Sequence, residues 1–448
     1  MMAVLKVHMG GTKMSDFYAD AERFRQCKRI FCFFRNGDWD SFVLDRLSML
    51  KKKLSGTDAA TLVLGAGVSQ SVGGPSWEKL LARLSILVTN TRRGIHRPYN
   101  SLAVPDALGR ELFDAGTNLF NGTDLLDIAS YLFPRDEAGD FYGSSPSAPE
   151  YIVLNQRTNV APVFLKDLVR RALLPHSYFD GGTFSIEEYI KTEKGKVKWK
   201  NTALYRVSKL SIAHFTKNEH RKNRRVITYN YDNFLEKAID TLCSGCKDAP
   251  QVKTIYSHSL EQEALNTASS INSLYIYHPH GFLDVCGGGR DKSIKESDSI
   301  VLSEESYYEM EQRVYSWQNH LLSRALNDDL CLFIGFSGND YNFRRIMKNL
   351  DYIPQKSEKQ YSRYIIITID TMVQRIISCY QAANKEEQIE VNGMLSDNDL
   401  RKLTEYMCQR LYRLLDLKEQ YLKQKGFIPI WTTINDLPGV LEYLVEGL

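Results

Sequence analysis

"TLVLGAGVSQSVGGPSWEKLL", Thr61 to Leu81, decides how the rest of the chain is read. A short apolar run, Leu62-Val63-Leu64, stops at Gly65-Ala66-Gly67. Small and polar residues follow, then Gly73-Gly74-Pro75, then an apolar pattern at helical spacing from about Trp77 to Thr89. Strand, glycine turn and helix in that order open a βαβ unit. Gly65 and Gly67 permit a tight turn and close approach of a diphosphate to backbone N–H groups. No Gly-Lys-Ser/Thr follows, so the turn is not a Walker A loop. Gln70 stands third after Gly67, so it is not a regular G-x-G-x-x-G either. A purely structural turn is an equal reading of the glycines alone.

Outward from the turn, similar segments recur. "RRVITYNY", "SLYIYHPHG", "DLCLFIGFS", "SRYIIITID" and "FIPIWTTI" read as strands. Helical stretches lie between them, among them Asn233 to Leu242 and Tyr307 to Leu326. Short β-branched runs alternating with helices predict an α/β fold with a mostly parallel, Rossmann-like sheet. Ahead of the first strand, residues from about Ser15 to Leu54 carry apolar side chains at helical spacing, broken near Asn36-Gly37. Between about residues 90 and 225 helical segments and Gly/Ser/Pro-rich loops predominate. The expected organisation is an N-terminal helical extension, 1–58, and a Rossmann domain, 59–448, with a large helical insertion at about 90–225.

Bulk properties narrow the class. A hydrophobic content of 43% over 448 residues suits an ordinary globular protein with a sizeable core. A net charge of +3 is too small to argue for nucleic acid, and the basic stretches "KTEKGKVKWK" and "HRKNRR" read as solvated loops. No segment has the length of a membrane span, and the N-terminus lacks a signal-peptide pattern, so the expected location is cytoplasmic. Cys243 and Cys246 form the one close cysteine pair; without a second pair they read as free thiols at a helix end, and no zinc is expected.

In open parallel sheets ligands bind beyond the carboxyl ends of the strands. Polar residues collect there: Ser69, then Thr228, Asn230 and Asp232, then His280, then Gly335, Ser337, Asn339 and Asp340. If the strand through Thr228 persists, Asn230 and Asp232 face one cavity. Asp232 or Asn233 is equally suited to cap the following helix. His278 and His280 in "HPHG" lack further ligands at metal-site spacing, and each alone reads as a buried structural histidine.

Taken together these segments resemble the sirtuin (SIR2) family. The family's GAG-x-S is Gly65-Ala66-Gly67-Val68-Ser69, its G-x-P is Gly73-Gly74-Pro75, and its T-x-N-x-D is Thr228, Asn230 and Asp232. Its H-G is His280-Gly281 and its G-x-S is Gly335-Phe336-Ser337. The resemblance implies an NAD site with adenosine diphosphate at the glycine turn. It implies Gly65, Ala66, Gly67, Ser69, Pro75, Trp77, Thr228, Gly335, Ser337 and Asp340 as binding residues. It further implies Asn230 at the nicotinamide ribose, Asp232 at the nicotinamide amide and His280 as the catalytic histidine.

Departures from the deacylases point elsewhere. Only Cys286 follows the H-G motif closely, so their zinc module is missing. Their acyl-peptide segment is replaced by "SIVLSEESYYEM", and Trp77-Glu78 stands for their Phe-Arg. The variant resembles the SIR2-like NADases of bacterial anti-phage defence, which implies NAD+ hydrolysis to nicotinamide and ADP-ribose in abortive infection. A homo-oligomer and a HerA-type hexameric ATPase are the partners this implies. A non-hydrolytic NAD or ADP-ribose sensor and a protein deacylase are the alternative readings.

Overall fold

The computed structural model describes residues 39–56, 59–77, 79–81, 83–84, 169–170, 172–174, 199–216, 223–246, 249–266, 273–286, 300–302, 316–326, 330–336, 348, 362–369, 413–434 and 436–446. The run Ala59–Leu64 forms strand β1, and it is apolar enough to be covered on both faces: Leu62, Val63 and Leu64 are all buried. β1 pairs in parallel with β2 (Asn223–Thr228) on one side and with β5 (Leu330–Ile334) on the other. β2 pairs with β4 (Ser273–Tyr277), and β4 with β3 (Gln251–Ile255), again in parallel. The order within this unit is β3-β4-β2-β1-β5, an α/β sheet of Rossmann-like type. Continuous apolar sequence in β4 and β5 follows from this position: every residue of both strands is buried.

Register sets the working end of the sheet. Leu64 lies opposite both Thr228 and Ile334, and Tyr277 lies opposite Ile227 and Ile255. The carboxyl ends of five strands therefore finish within about one residue of each other. The chain reverses direction across the sheet at β1, where it leaves β4 and returns on the far side as β5. That is the switch point at which ligand crevices open.

Helices supply the cover. α2 is a single turn, Gly67–Gln70. α3 (Ala203–Thr216) packs against α2 and α4 (Phe234–Cys243). Thr202 caps α3, its hydroxyl accepting from the Tyr205 N–H at 3.1 Å. On the buried face of α3 Ser208 and Ser211 return their hydroxyls to Leu204 O and Val207 O one turn earlier, so their burial leaves no donor unmet. α5 (His258–Asn266) and α6 (Trp317–Leu326) are further described helices of this unit.

A second unit holds α1 (Trp39–Gly56, through Ser55), the parallel pair β6 (Ser362–Thr368) and β7 (Phe427–Thr432), the helical run 413–424 and α7 (Leu437–Val445). Its interior is built around Glu419. That carboxylate accepts from Arg46 Nη2 at 2.7 Å, Lys423 Nζ at 2.7 Å and Trp431 Nε1 at 3.1 Å. Arg46 also donates to the carbonyl of Pro429 on β7.

Several expectations shift. β2 ends at Thr228, three residues before the expected strand did, because the Thr228 hydroxyl accepts the Asn230 N–H at 3.2 Å and turns the chain. β3 and α5 were not foreseen: "QVKTI" is short and carries Gln251 and Lys253, which suits a partly exposed strand at the edge of this unit. α3 falls within the stretch expected as an insertion. The expected helix from Ser15 to Asn36 and most of 90–198 lie outside the described residues.

Candidate active site

Three glycines knit the ends of β1 and β5 together. Gly65 N–H donates to Ile334 O at 2.9 Å, and Gly67 N–H donates to Gly335 O at 2.9 Å. A Cβ at Gly65 would stand 2.8 Å from Gly335 O, and one at Gly67 would stand 2.9 Å from Gly335 Cα. Gly335 itself has φ +81, and its own Cβ would meet Gly65 O at 2.9 Å. What approaches this turn so closely is therefore the other strand's backbone. The N–H groups of Gly65 and Gly67 are already engaged by it.

Beyond the turn, Ser69 is buried and joins two loops. Its hydroxyl donates to Asp232 Oδ2 at 2.8 Å and accepts from Asn230 Nδ2 at 2.9 Å. Asn230 Nδ2 also donates to Gly65 O at 3.2 Å. Asn230 and Asp232 thus meet, but through Ser69 and not through strand alternation. The carboxylate's other oxygen, Oδ1, accepts the Phe234 N–H at 3.1 Å and so holds the start of α4. Asn233 is turned away, donating to Asp284 Oδ1 at 2.6 Å and accepting the Cys286 N–H at 3.1 Å. Burial pushes the Asp232 carboxyl up from 3.8 to about 6; hydrogen bonds from Ser69 and Phe234 oppose it, Glu236 adds to it and His278 works against it.

His280 is 1% exposed, and its ring packs edge-on against Tyr229 with centroids 4.7 Å apart. Tyr229 in turn contacts Phe336, beside Gly335. Gly281 has φ +102 and bonds back to His278 O at 3.1 Å, making the sharp turn after β4. Pro75 is buried, Ala66 is half-buried, and Trp77 faces Tyr231 at 6.5 Å. Ser337 and Asp340 lie outside the described residues.

A pair missed in the sequence lies beneath this group. His278 is fully buried; its Nε2 is 2.7 Å from Glu236 Oε1 and its Nδ1 is 2.9 Å from Asn230 O. The sequence offered only an acid early in the helix after β2 and a histidine directly after β4; the pairing of β2 with β4 brings them together.

Residues 224–389 match the family model described as SIR2-like domain. The SIR2-like match begins within β2 and takes in Thr228, Asn230, Asp232, His280 and Gly335; the Gly65 turn precedes it. It ties this segment to NAD-related chemistry. No curated protein matches the chain.

Among the described residues no group of three His, Cys, Asp or Glu side chains could hold a metal ion. Cys243 ends α4 and Cys246 is exposed just beyond; both are free thiols. No described helix is long and apolar enough to cross a membrane.

Proposed function

We propose that the chain hydrolyses the nicotinamide–ribose bond of NAD+. The observation that carries this reading is the hydrogen-bonded set Asn230–Ser69–Asp232, seated against the Gly65 turn at the switch point of the sheet. The SIR2-like match supports NAD as the ligand. When the C–N bond breaks, its electron pair goes to the nicotinamide ring, which leaves neutral, and positive charge spreads over the ribose. Asn230 orients the ribose and the attacking water without adding charge. Asp232, ionised above its pKa of about 6, accepts from the departing carboxamide. Water adds to the ribose, and His280 takes its proton; such general-base help contributes on the order of a hundred- to ten-thousand-fold. The products are nicotinamide and ADP-ribose.

Incubation of the pure protein with NAD, read as nicotinamide release, tests this directly. Asn230→Ala and His280→Ala should each reduce release by at least about a hundredfold with the fold retained. Full activity in both folded variants rejects the assignment. NAD binding without release in the wild type would favour a sensor, and NAD-dependent release of an acyl group from a lysine peptide would favour a deacylase. In this reading the biological role is NAD depletion during phage infection. A HerA-type hexameric ATPase and further copies of the chain are the partners proposed with it, tested by sizing and co-purification.

A further inference from the structure

We propose that His278 and Glu236 form a positioning pair that fixes Asn230 by gripping its backbone carbonyl. The proposal rests on the glycohydrolase reading for the reaction that Asn230 serves. Hydrogen accounting gives the pair its direction. A carbonyl oxygen only accepts, so His278 Nδ1 carries a hydrogen and donates it to Asn230 O at 2.9 Å. Nε2 and Glu236 Oε1 are 2.7 Å apart, so a second hydrogen lies between them whichever atom holds it. Glu236 thereby pins the ring with Nδ1 aimed at Asn230. The ring cannot turn over without losing both bonds.

The surroundings agree. His278 follows β4, and its N–H bonds to Ile255 O at 2.7 Å, so the backbone beneath the ring is held by the sheet. Phe282 lies edge-on to the ring at 4.9 Å. Glu236 sits in the first turn of α4, whose start is held by Asp232. One grip therefore reaches Asn230 from β4 and α4, while Ser69 and Gly65 O hold its side chain from the β1 turn. Stability alone is a poor account of the pair. Glu236 Oε2 has no hydrogen-bond partner among the described residues, and buried ionic pairs are commonly no better for stability than apolar ones of similar volume.

The test uses side chains that keep one arm of the pair. His278→Asn puts an amide N–H where Nδ1 was and keeps the grip on Asn230. His278→Gln reaches Glu236 and drops Asn230. In the full chain, kcat for nicotinamide release should fall about tenfold or more in His278→Gln with KM within about twofold, and stay within about threefold in His278→Asn. Hydrogen exchange of residues 228–236 should be about tenfold faster in His278→Gln and unchanged in His278→Asn. Equal losses in the two variants, or wild-type kcat and exchange in folded His278→Gln, overturn the proposal. Should the histidine variants fail to fold, Glu236→Gln, which keeps a hydrogen bond to Nε2, should behave as wild type, and Glu236→Leu should behave as His278→Gln. Identical behaviour of that pair overturns the proposal equally. A wild-type protein that releases no nicotinamide rejects the glycohydrolase reading alone; the exchange comparison then decides the grip by itself.

Discussion

Ser69 has one hydroxyl, and it serves two partners at once, donating to Asp232 and accepting from Asn230. Asp232 is the costly member. Its folded pKa of about 6 lies above its ordinary value of 3.8, mainly through burial. The folded chain therefore holds that proton more tightly than the unfolded chain between about pH 4 and pH 6. The carboxylate lowers stability by about 3 kcal/mol above that window, and the cost fades as pH falls through it. Asp232→Asn keeps an oxygen for the Phe234 N–H and removes the charge. It should stabilise the fold by about 2 kcal/mol at pH 8, with the gain gone at pH 4, while nicotinamide release collapses. Urea unfolding at pH 4, 6 and 8 measures this; a gain independent of pH would show that charge burial is not the cause. Its spacing to Asn230 singled Asp232 out, although the two meet through Ser69 and not along a continued strand. Its partner Ser69 was legible only as a polar residue beyond β1, and the sequence separation of 163 between Ser69 and Asp232 explains why no local pattern announces their contact.

At the scale of elements, α1 is held in its unit by charge as well as by packing. Val43, Leu47, Leu50 and Leu54 are buried, and Arg46 reaches Glu419 and Pro429 O. Burial alone would raise the Glu419 carboxyl, but hydrogen bonds from Lys423, Arg46 and Trp431 outweigh it and lower the pKa to about 2. A depressed acid stabilises the fold above its unfolded pKa, and that contribution is lost as pH falls toward about 2. Glu419→Gln should destabilise by about 3 kcal/mol at pH 7, with the difference shrinking between about pH 4.5 and pH 2. Chemical denaturation followed by tryptophan fluorescence, with Trp431 as one reporter, checks it. Loss below 0.5 kcal/mol at neutral pH would make the network ornamental. The helical spacing of α1 was legible, and so were β1, β2, β4, β5, β6 and β7. β3 escaped because its position among exposed surroundings relaxes the demand for apolar residues. The early stop of β2 escaped because a side chain, Thr228 Oγ1, ends it.

For the molecule as a whole, the site belongs to the five-stranded unit. NAD bound there should stabilise that unit by about 2.7 kcal/mol at a hundredfold excess over Kd. In His280→Ala, which under the proposed mechanism leaves NAD uncleaved, hydrogen exchange should slow at the carboxyl ends of β1, β2, β4 and β5. Protection confined to residues 413–446 would place the ligand elsewhere. The parallel architecture was readable because strands covered on both faces are apolar without alternation, as β5 is throughout. The site was half readable: polar residues after strands mark a crevice, but the His278–Glu236 pair depends on two elements whose alignment only pairing reveals.

The interlock of Gly65, Gly67 and Gly335 also sets a timetable. Its two halves come from the first and last strands that this unit contributes to the chain, so the turn has no seat until β5 has been made and inserted beside β1. Contacts of such high contact order form late, after the entropy of closing a long loop has been overcome. A nascent chain that still lacks β5 can display every other polar group of the crevice and remain inert. Competence would then arrive in one step, once β5 is in place beside β1.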